Sequence, residues 1–256
     1  MSATIDVLVV GSPNADLVAY ARRLPEAGET VHGHGFARVA GGKGLNQAVA
    51  AARAGARTAM IGCVGDDDLG TFLLGEAAAD TIDTTRVHRV PGPSGVALIE
   101  VDDDARNRII VVAGANAALD AELVGAEQGG AELVGAALVG AAPSAVTPRV
   151  VLCQLETPLD GVLAAVRAGR AAGAVTVLNP APAASLPGEV LEQLDWLVPY
   201  EHEASLVLGT AADVSTPEAA LDVARRLRAT GPRGVVVTLG GRGAVAVDPD
   251  GTEHVV

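Results

Sequence analysis

With 256 residues, 49% of them apolar and only 2% aromatic, the chain can build one large α/β domain or two small ones, with a core filled by Ala, Val and Leu. A formal charge of −13 argues against the basic patch that nucleic-acid binding needs and against attraction to an anionic membrane surface. A phosphate-bearing ligand is still compatible, because local N–H donors can hold phosphate against an unfavourable global field.

Ile5 to Val10 is a continuous β-rich apolar run that stops at Gly11, as a buried parallel strand does. A polar turn is expected next, and then an Ala-rich helix from Leu45 to Ala54 with Gly55 as its C′ residue. Thr58 to Val64 reads as a second buried strand and Thr71 to Ala79 as another helix. Between His88 and Ala113 the texture changes. Ser94 to Val101 and Asn107 to Val112 are β-rich, and Asp102-Asp103-Asp104-Ala105 separates them, which predicts an antiparallel hairpin. From Val150 a βα alternation resumes: strands at Val150–Leu155, Val175–Asn179, Trp196–Val198, Gly234–Leu239 and Ala244–Val247, with helices at Leu159–Ala172, near Glu189, at Glu201–Leu208 and at Pro217–Ala229. Repeated βα units with apolar strands indicate a mostly parallel sheet covered on both faces. The repetitive stretch over 121–142, where Ala121 to Ala126 recurs as Ala131 to Ala136, is too short for a solenoid and reads as a lengthened helix or loop.

Cys63 and Cys153 both sit in apolar runs and form no CxxC, so buried reduced thiols are expected rather than a disulfide or metal site. The polar opening Ser2 to Asp6 is not that of a signal peptide, and no apolar run reaches membrane-spanning length. A cytoplasmic location is the expectation.

Two motifs fail on inspection. Gly41-Gly42-Lys43-Gly44 is not a Walker A loop, because Ala37 stands at the required first Gly and Gly44 at the required Ser or Thr. Gly11 to Asp16 lacks the later glycines of a dinucleotide turn. His32 and His34 have no third metal ligand close by and read as solvated loop residues.

Asn14 and Asp16 are expected just beyond the C-terminal end of the first strand, the edge where open α/β sheets bind ligands. A carboxylate accepts two hydroxyl hydrogen bonds and a carboxamide both donates and accepts, so the pair suits a vicinal diol; an Asx turn is the plainer alternative. Gly41 to Gln47 leads straight into a helix, where glycines permit close backbone approach, the helix start offers free N–H groups, and Lys43 and Asn46 can add contacts to hydroxyls. Glu156 ends an apolar strand at the same edge. Thr238 to Gly243 is a glycine-rich hairpin turn after a strand.

In order along the chain, Gly11–Asp16, Gly41–Asn46, Gly65-Asp66-Asp67, Ser94–Ile99, Gly114–Leu119, Gln154-Leu155-Glu156, Asn179–Ala183 and Thr238–Gly243 resemble the motifs of the PfkB family of carbohydrate kinases, and within it the ribokinase branch. The resemblance implies a three-layer α/β/α fold with a central, mainly parallel sheet and a small β lid. It implies a single kinase domain over 1–256, with the lid formed by about 12–40 and 88–112. Asn14, Asp16, Gly42, Lys43, Gly44, Asn46 and Glu156 would hold the sugar. Thr238, Leu239, Gly240, Gly241, Arg242 and Gly243 would lie beneath the nucleotide. Tyr200 stands where the family's metal and phosphate motif has Asn, and Glu203 keeps the carboxylate expected to act on magnesium through water. The implied partners are a sugar and ATP with Mg2+, and a second copy of the chain docked through the lid to form a homodimer.

The implied activity is ATP-dependent phosphorylation of a pentose, D-ribose to ribose 5-phosphate. The alternatives are a PfkB kinase for a nucleoside or sugar phosphate, or a catalytically inactive sugar-binding protein. The family's Gly-Ala-Gly-Asp motif, carrying the catalytic base and an anion hole, is expected beyond Val256, as are the loop for a monovalent cation (K+) and much of the adenine pocket. Within 1–256 no catalytic base is assigned, although Asp248 and Asp250 in the last loop would be the first substitutes.

Overall fold

The computed structural model describes residues 5–127 and 147–256. In chain order the elements are β1 (Ile5–Val10), β2 (Asn14–Ala21), β3 (Gly33–Gly41), α1 (Lys43–Arg53), β4 (Thr58–Gly65), α2 (Asp68–Ala79), β5 (Asp83–Val90), β6 (Gly95–Val101) and β7 (Asn107–Val112). After a 3-10 turn (Gly114–Ala118) come α3 (Ala121–Glu127), β8 (Pro148–Cys153), α4 (Leu159–Ala171), β9 (Val175–Leu178), α5 (Gly188–Leu191), β10 (Trp196–Leu197), α6 (Glu201–Leu208), α7 (Pro217–Arg228), β11 (Gly234–Thr238), β12 (Ala244–Val247) and β13 (Glu253–Val255).

Among the described residues nine strands form one sheet, in the order β13-β12-β11-β10-β9-β8-β1-β4-β5. Every pairing from β11 to β5 is parallel, and β12 and β13 close the other edge antiparallel. The strands alternate between two apolar layers, as side chains on a pleat must. Val9, Met60 and Val64 pack with Leu45 of α1 and Leu73 of α2 on one face. Leu8, Val10, Ile61, Cys63 and Val151 pack with Val162 and Val166 of α4 on the other. That is the three-layer α/β/α arrangement, and the small side chains fill it as the composition requires. Cys63 and Cys153 are buried and free, and burial pushes both thiols up to about 12, so both are protonated and inert. No described helix is long and apolar enough to cross a membrane.

A second sheet of four strands, β3-β2-β6-β7, stands apart from the first. The predicted hairpin is there: β6 and β7 are antiparallel, with Val101 opposite Asn107. Asp102 closes its turn by accepting from the Asp104 and Arg106 N–H groups and from Arg106 Nε. The second sheet differs from expectation in two respects. Residues 14–21 and 33–41 are strands rather than a polar turn, so Asn14 and Asp16 lie inside β2 and not in a loop beyond β1. Residues 88–90 belong to β5 and pair with β4, so they are part of the main sheet. Six of the nine positions of β3 are exposed and three are glycines, so it carries no apolar alternation to read. Of the repetitive stretch, only the start, α3, falls within the described residues.

One polar joint fastens the second sheet to the first. Asp67, the N-cap of α2, accepts from Gly70 N at 2.7 Å, from Ser94 Oγ at 2.6 Å and from Ser94 N at 2.9 Å. Ser94 Oγ in turn accepts from Gly65 N at the end of β4, at 2.9 Å. Asp67→Ala should therefore cost more than the about 0.5–2 kcal/mol of a lost cap, because the buried Ser94 groups are stranded as well. A urea midpoint unchanged from wild type would show that this joint carries no stability.

Candidate active site

The chain leaves β1 through Gly11-Ser12-Pro13 and enters β2, and the second sheet returns it through Gly41-Gly42 into α1. These two turns are pressed together: Leu45 N donates to Ser12 O at 3.0 Å. Gly42 has φ +89°, and a Cβ there would stand 2.6 Å from both Asn14 N and Ser12 O. A Cβ on Gly44 would stand 2.5 Å from Ser12 N. Both positions need glycine for contact, not only for flexibility.

Glu156 follows β8 and binds this junction with one oxygen. Its Oε2 accepts from Ser12 Oγ at 2.5 Å, from the Lys43 N–H at the start of α1 at 2.9 Å and from Asn14 Nδ2 at 3.3 Å. Three donors use up that oxygen, and Oε1 remains for a ligand. The result is a cavity of about 640 Å³ at the C-terminal edge of the main sheet and under the second sheet. Asn14, Asp16, Gly42, Lys43, Asn46 and Glu156 all line it, so six of the seven residues expected at the sugar share one cavity. Gly44 does not; it is buried behind the wall against Ser12. Beside Asp16 on the same sheet the lining is apolar, built by Ala97 and Ile99 of β6 and Ile109 and Val111 of β7.

Burial pushes the Asp16 carboxyl above its ordinary value, and the neighbouring charge of Glu156 adds to the shift. Two carboxylates facing one cavity suit hydroxyl donors and oppose a second anion. Lys43 is the cation among them.

The residues expected at the nucleotide sit outside this cavity, farther along the same sheet edge. Tyr200 makes a parallel bridge to Thr238, so the start of α6 and the end of β11 lie side by side. Glu203 is buried, with Oε2 accepting from Tyr200 N at 2.9 Å and from Asn179 Nδ2 at 3.4 Å. Burial raises its carboxyl pKa, partly offset by its hydrogen bonds and by the charge of Lys43. In the turn over Gly240–Arg242, Gly240 and Gly241 are exposed while the Leu239 side chain packs into the core. Arg242 pairs with Glu201 and donates to Val214 O at 2.6 Å, pinning the turn to α6 and to the approach of α7. This donor set fits a magnesium ion brought in by nucleotide phosphates. One carboxylate with a spare oxygen is on hand, and the described residues assemble no cluster of three or more His, Cys, Asp or Glu that would cage an ion alone.

Asp248 and Asp250 are not placed to act as bases. Val247 pairs with Val235 near the start of β11, so their turn lies at the edge opposite the cavity. His34 lies in β3 rather than in a loop, stays exposed and meets Asp103 at 3.1 Å. The sequence alone does not single out Ser12 for this site, because a serine between Gly11 and Pro13 looks like any turn residue. Its 0% exposure and its bond to Glu156 only appear in three dimensions.

The model of the pfkB family carbohydrate kinases matches residues 4–256. The chain is 35% identical over 260 residues to ribokinase of Schizosaccharomyces pombe, covering 98% of this chain and 77% of that one. It is 33% identical to deoxyribokinase of Salmonella typhi, covering 98% of this chain and 78% of the relative. Among solved structures, Arabidopsis thaliana ribokinase complexed with ribose and ATP superposes with a TM-score of 0.80 at 27% identity, over 99% of this chain and 78% of that one. Fold, site edge and sequence agree, and the chain belongs to the pfkB family of carbohydrate kinases, enzymes that phosphorylate a sugar hydroxyl.

Proposed function

We propose that this protein phosphorylates a pentose, D-ribose at its O5, at the expense of ATP. The observation that carries the reading is the cavity wall on which Asp16 and Glu156 present acceptors and Asn14, Lys43 and Asn46 present donors, as a neutral polyol requires. A sugar phosphate is disfavoured by the two carboxylates. The apolar wall from β6 and β7 excludes water from the bound sugar. In this reading the second sheet is a lid.

Glu203 would hold magnesium through water, and the turn from Thr238 to Gly243 would lie beneath the nucleotide, with Tyr200 taking the place of the family's Asn near the transferring phosphoryl. Magnesium supplies charge neutralisation between the phosphates when bound. The family's base, the Asp of a Gly-Ala-Gly-Asp motif, has no counterpart within 1–256. A cytoplasmic location belongs to the same proposal.

The test is calorimetric binding beside ATP-dependent phosphorylation, with D-ribose, 2-deoxy-D-ribose, adenosine and a pentose phosphate. Ribose should bind best, and where the base is present it should be the sugar turned over with MgATP. Tighter binding of adenosine or of the phosphate would reverse the substrate assignment, and binding without turnover would identify a sugar-binding protein.

We also propose that two copies pair through their lids. Phe36 on β3 and Ile110 on β7, the two edge strands of the lid sheet, are 71% and 64% exposed, and Leu98 on β6, opposite Ile110, is 45% exposed. Sedimentation should give a dimer for wild type and a monomer for Ile110→Asp; a wild-type monomer would end this part of the reading.

A further inference from the structure

Asn116 lies in the 3-10 turn that carries the chain from β7 back to the main sheet, and it is 1% exposed. Its Nδ2 donates to Asn14 Oδ1 at 2.7 Å and to the Pro13 carbonyl at 3.2 Å. Its own Oδ1 is buried and has no hydrogen-bond partner among the described residues.

A carboxamide has one end that only accepts and one that only donates, and its neighbours decide which way round it sits. The contacts here run between two groups that can only accept. At one end is the Pro13 carbonyl, which obliges Asn116 to present its NH2. That NH2 then needs an acceptor from Asn14, so Asn14 turns its oxygen inward. At the other end is the Glu156 carboxylate, which receives the Asn14 Nδ2 at 3.3 Å. Both ends demand the same polarity. The joint also needs Gly95, the first residue of β6, because a Cβ there would collide with both Asn116 Nδ2 and Asn14 Oδ1. A buried amide oxygen left without a partner is a cost, and it marks a side chain kept for its donor end.

We propose that Asn116 is a positioning residue for the sugar site, holding the Asn14 carboxamide with its donor end toward Glu156 and the cavity. Through it the path of the lid hairpin is tied to the hydrogen-bonding direction that a sugar hydroxyl meets. The proposal rests on reading the cavity as a pentose site.

Asn116→Asp replaces the donor by an acceptor of the same shape, facing two other acceptors. Ribose affinity should fall at least tenfold, with MgATP affinity unchanged. In an Asn14→Ala background the same change should cost little more, because the group it orients is already gone. The Asn14 side-chain amide resonance, identified by its loss in Asn14→Asp, should shift in ligand-free Asn116→Asp. Gly95→Ala disturbs the same joint without altering a polar group and should reproduce the ribose loss, which keeps the test available if Asn116→Asp does not fold. Additive losses in the cycle, or an unmoved Asn14 resonance, would overturn the proposal. A wild-type chain that binds no pentose would overturn the reading beneath it, whereas a wild type that binds beside an Asn116→Asp that binds equally well overturns the positioning role alone.

Discussion

Asp16→Ala is expected to abolish measurable pentose binding while leaving the fold at least as stable as wild type at neutral pH. The Asp16 carboxylate lies against Gly41, where a Cβ would collide with it, and lines the cavity from β2. A charged acceptor contributes about 1.5–3 kcal/mol to each hydrogen bond. Two hydroxyl donors lost together come to about 3–6 kcal/mol, or roughly 10²–10⁴-fold in affinity. The stability side has the opposite sign. Burial and Glu156 raise the folded-state pKa of Asp16 above 3.8, so its ionisation opposes folding at every pH above that ordinary value. Removing it removes that opposition. Calorimetry with ribose and a thermal melt of the same sample check both halves, and unchanged affinity would take Asp16 out of the site.

The same shift sets a pH dependence. Hydroxyl donors favour the ionised carboxylate, so ribose affinity should be full at neutral pH and fall as pH drops through the raised Asp16 pKa, earlier than an ordinary carboxylate would dictate. Asp16→Asn should flatten that part of the profile.

The parallel core was legible in the sequence because its strands are buried on both faces and read as unbroken apolar runs. Ile5–Val10 was placed to the residue and Thr58–Val64 to within one. β2 and β3 were not legible, because they are held by pairing with each other and with β6 rather than by burial. A strand stabilised by its neighbours leaves little periodicity of its own. The cavity wall was legible where chemistry and turn geometry coincide, at Asn14, Asp16 and the Gly41–Asn46 turn. What the sequence could not reveal was the joinery behind it. Ser12, Asn116 and Gly95 are ordinary turn and strand-end residues until Glu156 and Asn14 come to lie beside them.

Glu156→Ala should have the broadest effect of any single change at the site, because it strikes both the joinery and the ligand. Its Oε2 is the shared acceptor for Ser12 Oγ, Lys43 N and Asn14 Nδ2, which belong to the first turn, the helix α1 and the strand β2. Stranding a buried donor costs about 1–3 kcal/mol, and water entering from the cavity can relieve some but not all three. A stability loss of about 2–4 kcal/mol is expected, together with at least a hundredfold loss of ribose affinity. Glu156→Gln separates the two effects. Its amide oxygen can still accept from Lys43 N and Ser12, so most of the stability should return, but the negative charge beside Asp16 is gone. The Asp16 pKa should then fall toward its ordinary value, since one cause of its elevation has been removed. The acid limb of ribose binding should accordingly move to lower pH in Glu156→Gln than in wild type. Denaturant unfolding of both variants and a pH series of ribose titrations measure these outcomes. An acid limb that stays in place, or a Glu156→Ala protein as stable as wild type, would show that this carboxylate neither braces the junction nor bears on Asp16.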